Sequence, residues 1–143
     1  MSYRYIEDEA TADIAFEAVG KDLPQVFENA GDALINVMIE NLEAIQPRET
    51  RPVELHNSAL DLLLIDYLQE LIYYKDSQQL LLRAHDLEIT KQDEDWHLSG
   101  LLKGERLDSR RHPLLVDVKA VTLHNFSLKQ NDHGWRAHVI LDI

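Results

Sequence analysis

The sequence predicts an α+β fold in which two main helices pack on a mostly antiparallel β-sheet. The predicted order is strand, helix, strand, helix and then four strands. The last four strands fall into two consecutive hairpins, and hairpins pair antiparallel. The 143 residues and their 45% hydrophobic content are typical of one globular domain, which we expect to span residues 1–143.

The first predicted strand covers residues 12–19, where apolar and acidic side chains alternate. Asp13 and Glu17 lie on the face opposite the apolar side chains, because successive residues of a strand point to opposite faces. A helix is predicted to follow Asp22, which can cap it together with Gln25 three residues later. Its apolar residues recur at three- and four-residue steps: Leu23, Val26, Phe27, Ala30, Leu34, Val37 and Met38.

A short strand over residues 51–56 precedes a second helix, which is predicted to begin near Ser58 with Asp61 in its first turn. One hairpin is predicted from residues 80–90 and 96–102, and the other from residues 116–129 and 135–143. In the last strand the odd-numbered apolar residues face one way, and Asp142 belongs to the opposite face.

Composition narrows the classes of function. The formal net charge of −12 repels phosphate backbones and disfavours unaided nucleic-acid binding, whereas it suits hard cations or a basic protein partner. The chain has no cysteine, which excludes disulfides and thiolate metal sites. No apolar run is long enough for a membrane span, and the acidic first residues do not resemble a signal peptide. We therefore expect a cytoplasmic protein.

The strongest chemical candidate is a group of carboxylates. If the first and last strands are antiparallel neighbours, Asp13 and Asp142 can meet, and the carboxylate of Ile143 follows directly. Such an all-oxygen group suits Ca²⁺, Mg²⁺ or Mn²⁺. The alternative is two separate, solvated aspartates and a frayed chain end.

Two further features allow more than one interpretation. The segment 103–113 is locally basic and is either a loop that meets RNA phosphates or an acidic partner, or a solvated connection. Lys119 stands in an otherwise apolar stretch, where it extends to solvent from a sheet edge, reaches an anion, or holds the carboxylate group in place.

Four blocks of the sequence, spread over nearly the whole chain, form a recognisable set. The first is Thr11-Ala12-Asp13-Ile14, and the second runs from Ser58 to Leu64 and on to Leu71-Ile72-Tyr73. The third combines Gly104-Glu105 with Arg111-His112-Pro113. The fourth comprises Val118-Lys119-Ala120-Val121-Thr122, Gly134-Trp135 and Ile140-Leu141-Asp142-Ile143. Together, and in this order, the four blocks resemble the archease family.

The resemblance implies an accessory protein rather than an enzyme. Archeases assist the RtcB-type tRNA-splicing RNA ligase, which joins 2′,3′-cyclic-phosphate or 3′-phosphate ends to 5′-hydroxyl ends, and they promote its guanylylation and repeated turnover. The implied metal ligands are Asp13, Asp142 and Ile143, with a divalent cation as cofactor. Lys119, Glu105 and His112 are implied in charge organisation or ligase contact, and RNA would be met only through the ligase.

The chain departs from the family pattern at two positions, where Ala10 replaces a histidine and Leu123 replaces a tyrosine. Two other functions stay open. A metal-dependent hydrolase would use the same carboxylates without a partner, and a general chaperone or adaptor of RNA-modifying enzymes would not depend on Asp13.

Overall fold

The computed structural model describes residues 3–6 and 13–143. Seven strands and two α-helices follow one another in these ranges: β1 Tyr3–Ile6, β2 Asp13–Gly20, α1 Leu23–Met38, β3 Glu49–Asn57, α2 Leu60–Gln78, β4 Leu80–Gln92, β5 Asp95–Arg106, β6 Ala120–Asn131 and β7 Gly134–Asp142. A 3₁₀ helix at Leu42–Ala44 lies between α1 and β3.

The predicted fold class is confirmed, but the strands form two antiparallel sheets rather than one. The four-stranded sheet has the order β1-β2-β7-β6, and the three-stranded sheet has the order β3-β5-β4. Both helices contact both sheets: α1 packs on β2 and β4, and α2 packs on β4 and β6. The apolar stripe of each helix is broad, and one sheet would leave part of it in water.

The helices therefore provide the centre of the hydrophobic core, and the strands cover it from two sides. Its largest fully buried side chains include two aromatic residues from the helices, Phe27 and Tyr67, and Phe16 from β2. Asp22 caps α1 as predicted, because its carboxylate accepts a hydrogen bond from the Gln25 backbone N–H at 2.9 Å. The Gln25 side chain accepts from the Lys21 N–H, one residue earlier than a standard capping box requires.

Several predicted boundaries were wrong. The first hairpin is longer than expected, since Gln92 pairs with Asp95 and only two residues form the turn. Asp93 in this turn has a φ of 57°, which aspartate tolerates better than most residues. Strand β6 begins at Ala120, so residues 116–119 are not part of a strand. Strand β1 was not predicted, and the burial of its four residues does not alternate: Tyr3 and Ile6 are partly buried, whereas Arg4 and Tyr5 are exposed.

Neither α-helix of the described residues combines the length and the apolar character that crossing a membrane requires.

Candidate metal site

The first and last strands of the predicted set are antiparallel neighbours, as the candidate site requires. Asp13 and Asp142 are direct partners in the β2–β7 register. The next pair, Ile14 and Leu141, points into the core, so the two aspartates share the opposite face of the sheet. Side chains that are directly opposite in an antiparallel pair have Cβ atoms about 5 Å apart. The fold therefore brings both carboxylates to one end of the four-stranded sheet.

An apolar row borders this pair of carboxylates on the outer face. Ala15 is paired with Ile140, and they are only 3% and 1% exposed. Both aspartates are themselves partly buried. Both carboxylates are therefore less accessible to water than those of a fully exposed pair.

Lys119 directly precedes β6 and Ile143 directly follows β7, and both lie next to Asp142. The Lys119 backbone N–H donates a hydrogen bond to the Asp142 carbonyl at 2.8 Å, immediately before β6 begins. The Lys119 side chain is exposed, and Ile143 is partly buried beside Asp142. Four of the six sequence-predicted site residues thus meet: Asp13, Asp142, Ile143 and Lys119.

The residues present fit a hard cation on two grounds. Two carboxylates held directly opposite each other destabilise a sheet unless a positive charge compensates them. In addition, the buried hydroxyl oxygen of Thr122 has no hydrogen-bond partner in the part of the chain described. Thr122 lies on the same face and is a diagonal neighbour of Asp142, whose direct partner in β6 is Ala120. An unpartnered hydroxyl there suits a water molecule held by a hydrated ion.

The donor set is small within the described ranges. No three histidine, aspartate or glutamate side chains converge on one point among residues 3–6 and 13–143. A cation would be held by the carboxylates of Asp13 and Asp142 and by main-chain oxygen of Ile143, with water completing its shell. This composition favours Ca²⁺, Mg²⁺ or Mn²⁺ over zinc or copper.

The other two predicted residues, Glu105 and His112, lie elsewhere, since Glu105 belongs to the three-stranded sheet. The His112 Nε2 and a Glu105 oxygen are 2.9 Å apart, and both side chains are buried. Because His112 Nδ1 accepts a hydrogen bond from the Asp108 N–H at 3.0 Å, Nε2 is the nitrogen that donates to Glu105.

Three further donors converge on Glu105. The Arg111 guanidinium donates at 2.6 Å, the Gln46 backbone N–H at 2.8 Å, and Arg48 forms an ion pair at 3.2 Å. Burial opposes the ionisation of Glu105, but the hydrogen bonds from Arg111, Gln46 and His112 outweigh it and lower its pKa to about 2. Glu105 therefore stays charged and ties the basic segment to the residues that precede β3.

This network changes the interpretation of the basic segment. Arg111 is held by Glu105 and by the Ala44 carbonyl, so the segment is neither a freely solvated loop nor a fully available cationic surface. The burial of Glu105 and His112 favours charge organisation over direct partner contact. No regular spacing in the sequence indicates that Glu105 and His112 lie close together or that they are buried.

Of the two departures from the family pattern, only Leu123 lies within the described residues. Ala10, with Thr11 and Ala12 of the first block, lies outside the described residues. Leu123 lies in β6 and is 68% exposed. A leucine this exposed contributes little to the hydrophobic core.

The protein is thus a small α+β protein in which two antiparallel sheets surround two helices. Its candidate site is formed by paired carboxylates at one end of the four-stranded sheet. The model of the Archease protein family (MTH1598/TM1083) matches residues 3–143. The chain belongs to the archease family.

Relatives and solved structures agree with this assignment. Protein archease of Methanosarcina mazei is 34% identical over 142 residues, which are 99% of this chain and 95% of the relative. Protein archease of Archaeoglobus fulgidus is 35% identical, and the match covers both chains completely. The solution structure of Methanobacterium thermoautotrophicum protein 1598 is 34% identical, with a TM-score of 0.86 over 99% of both chains.

A more distant structure shares the fold alone. The crystal structure of a Thermotoga maritima protein, described as an archease and possible chaperone, has a TM-score of 0.62 at 18% identity and covers 94% of both chains.

Proposed function

We propose that this protein activates an RtcB-type RNA ligase, which joins 2′,3′-cyclic-phosphate or 3′-phosphate ends to 5′-hydroxyl ends, by promoting its guanylylation and multiple turnover. The proposal rests above all on the direct opposition of Asp13 and Asp142 at one sheet end. Family membership supports it, because the archease resemblance of the sequence implies an accessory role to this ligase. In this role the protein is a partner rather than the catalyst.

The site offers charge and oxygen ligands to a metal-dependent partner. A divalent cation bound by Asp13, Asp142 and Ile143 would supply a concentrated positive charge that attracts phosphate oxygens. Because the net charge is −12, the remaining surface is better suited to a basic cleft of a protein partner than to free RNA. Lys119 lies beside Asp142 and would set the local charge when the site meets the ligase.

Activation requires that the protein distinguish two states of the ligase. An accessory protein shifts a conformational equilibrium only by the difference between its affinities for the two states. Tighter binding to the nucleotide-accepting state would raise guanylylation without any new catalytic group. Because the ligase must then release its partner and its product, the same preference accounts for repeated turnover.

Ligase assays test this proposal directly. The amount of ligase–GMP adduct and the number of joined RNA ends per ligase are measured with wild type, Asp13→Asn and Asp142→Asn. Each asparagine variant keeps the size of the side chain and removes one negative charge. We expect both variants to reduce turnover by at least about tenfold, since each removes a charged ligand.

Glu17→Gln is the matched control. Glu17 lies on the same strand and face as Asp13, but it pairs with Arg4 at the surface. We expect it to activate the ligase like wild type. Full activation by both asparagine variants would refute the proposed role of the carboxylates.

The same assays separate the alternative functions. A general chaperone, as suggested for the Thermotoga maritima protein, would prevent loss of ligase activity and would tolerate Asp13→Asn. A metal-dependent hydrolase would cleave a phosphoester substrate with no ligase present.

A further inference from the structure

A cavity lies near the end of the four-stranded sheet opposite Asp13 and Asp142, where β2 ends and the β6–β7 hairpin turns. Its volume is about 350 Å³, which is within the range of small-molecule sites. Eight residues line it, and none of these eight is acidic: Val19, Gly20, Lys21, Gln25, Asn131, His133, Trp135 and Arg136. In a chain of net charge −12, such a lining is unexpected.

The cations of this region lack carboxylate partners. Arg136 is directly opposite Lys129 in the β6–β7 register, and like charges in this arrangement destabilise a sheet. The ion pairs within residues 3–6 and 13–143 include none formed by Lys21, Lys129 or Arg136. By contrast, Arg4, Arg83 and Arg111 each have a carboxylate within 3 Å. The unpaired charges indicate a place for an anion.

The nearest acidic residues in the sequence do not fill this place. Asp22 follows Lys21, but its carboxylate caps α1 through the Gln25 N–H. Asp132 lies in the turn between β6 and β7 and is not part of the cavity lining. The cavity thus combines Lys21, Arg136 and His133 without a competing carboxylate in its wall.

An aromatic side chain completes the wall. Trp135 begins the core-facing row of β7, is only partly buried and lines the cavity. The neighbouring backbone is closely packed, since a Cβ atom on Gly134 would lie 2.2 Å from the Gly20 carbonyl oxygen. Gly134 also has a φ of 136°, which favours glycine. Glycine here lets β7 approach the end of β2 and fixes the tryptophan at the rim.

We propose that this cavity binds a nucleotide, with the base against Trp135 and the phosphate between Lys21 and Arg136. Aromatic side chains bind bases through stacking, and arginine and lysine bind phosphate through charge-assisted hydrogen bonds. The ligand is either a free nucleotide or one nucleotide of an RNA strand, which share this chemistry. The inference stands apart from the proposed ligase activation, because it rests on other residues at the other end of the sheet.

Tryptophan fluorescence tests the proposal in the isolated protein. The chain has two tryptophans, so Trp96→Phe leaves Trp135 as the only emitter. We expect GMP to quench this emission saturably, and guanosine and inorganic phosphate, each lacking one half of the ligand, to act much more weakly. Adding Lys21→Gln or Arg136→Gln should raise the Kd about tenfold each, as expected for one charge-assisted contact.

The controls separate local from general effects. Lys91→Gln removes the same charge from the three-stranded sheet and should leave the Kd unchanged. A short RNA that binds more tightly than GMP identifies a strand as the source of the ligand, whereas equal binding identifies the free nucleotide. Absence of saturable quenching, or an unchanged Kd in both charge variants, overturns the proposal. Ligase activity is not measured, so neither result bears on the proposed activation.

Discussion

Asp13 and Asp142 are direct cross-strand partners, although almost the whole chain separates them in sequence. Between them lie both α-helices and four of the seven strands of the described residues. The pair is formed because β7 occupies the centre of the four-stranded sheet, between β2 and β6. A central strand has two neighbours, so Asp142 also contacts the start of β6 through the Lys119 N–H.

Removal of one charge from this pair should stabilise the metal-free protein. We expect Asp142→Asn to raise the free energy of unfolding in EDTA by about 0.2–1 kcal/mol, because it removes repulsion between opposed carboxylates. Saturating Ca²⁺ should stabilise wild type, by about 2.7 kcal/mol at a hundredfold excess over Kd, and leave the variant unchanged. Urea unfolding with EDTA and with Ca²⁺ measures both effects. Equal stabilisation of the two proteins by Ca²⁺ would contradict the assigned ligands.

Glu105 should make the free energy of unfolding depend on pH. Its pKa is lowered from the ordinary 4.5 to about 2, so its contribution is fully present above about pH 5 and is lost as the pH falls toward 2. At pH 7, Glu105→Gln should cost about 1–3 kcal/mol, because a buried charged acceptor loses its hydrogen bonds. The difference from wild type should narrow between pH 5 and pH 3 in urea unfolding.

Glu49→Gln provides the comparison for Glu105. Glu49 pairs with Arg51 at 3.3 Å on a partly exposed surface, and exposed ion pairs contribute little. We expect this variant to follow the wild-type pH profile within about 0.5 kcal/mol. If both variants lose the same stability at every pH, the buried network is not the cause of the acid sensitivity.

Lys75 should fix the segment that leads to Lys119. Its ammonium group is buried, contacts Asp117, lies 2.5 Å from Asp76 and donates to the Val118 carbonyl at 3.0 Å. Lys75→Met should lower the free energy of unfolding by about 1–3 kcal/mol, because it leaves the Val118 carbonyl unpaired. Urea unfolding compares it with Lys91→Met, an exposed site where we expect little change. Equal losses would refute the anchoring role.

Two glycines of β5 should differ in their tolerance of alanine. A Cβ atom on Gly104 would lie 1.7 Å from the Leu81 carbonyl oxygen, which is backbone and cannot move alone. On Gly100 the nearest atom is the flexible end of the Leu87 side chain at 2.8 Å. We expect Gly104→Ala to cost about 3 kcal/mol or more and Gly100→Ala about 1 kcal/mol, as overpacking does. Similar unfolding midpoints for the two variants would contradict this difference.

The sequence predicted the features that depend on alternation. Asp13 and Asp142 were placed on the faces opposite the apolar residues, and the structure pairs them in register. A second sheet was not predicted, because alternation within a strand does not state which strand is its neighbour. The position of Glu105 was equally hidden, since its partners Gln46, Arg48 and Arg111 come from segments without periodicity.

The position of β7 has a consequence for how the protein is made. A pairing between residues 13 and 142 must wait until residue 142 has left the ribosome, and contacts of such long range form slowly. A chain that ends before β7 carries Asp13 without Asp142 and leaves β2 and β6 unpaired along one edge. Cation binding at the proposed site would therefore depend on the β2–β7 pairing, and a chain without β7 would lack it.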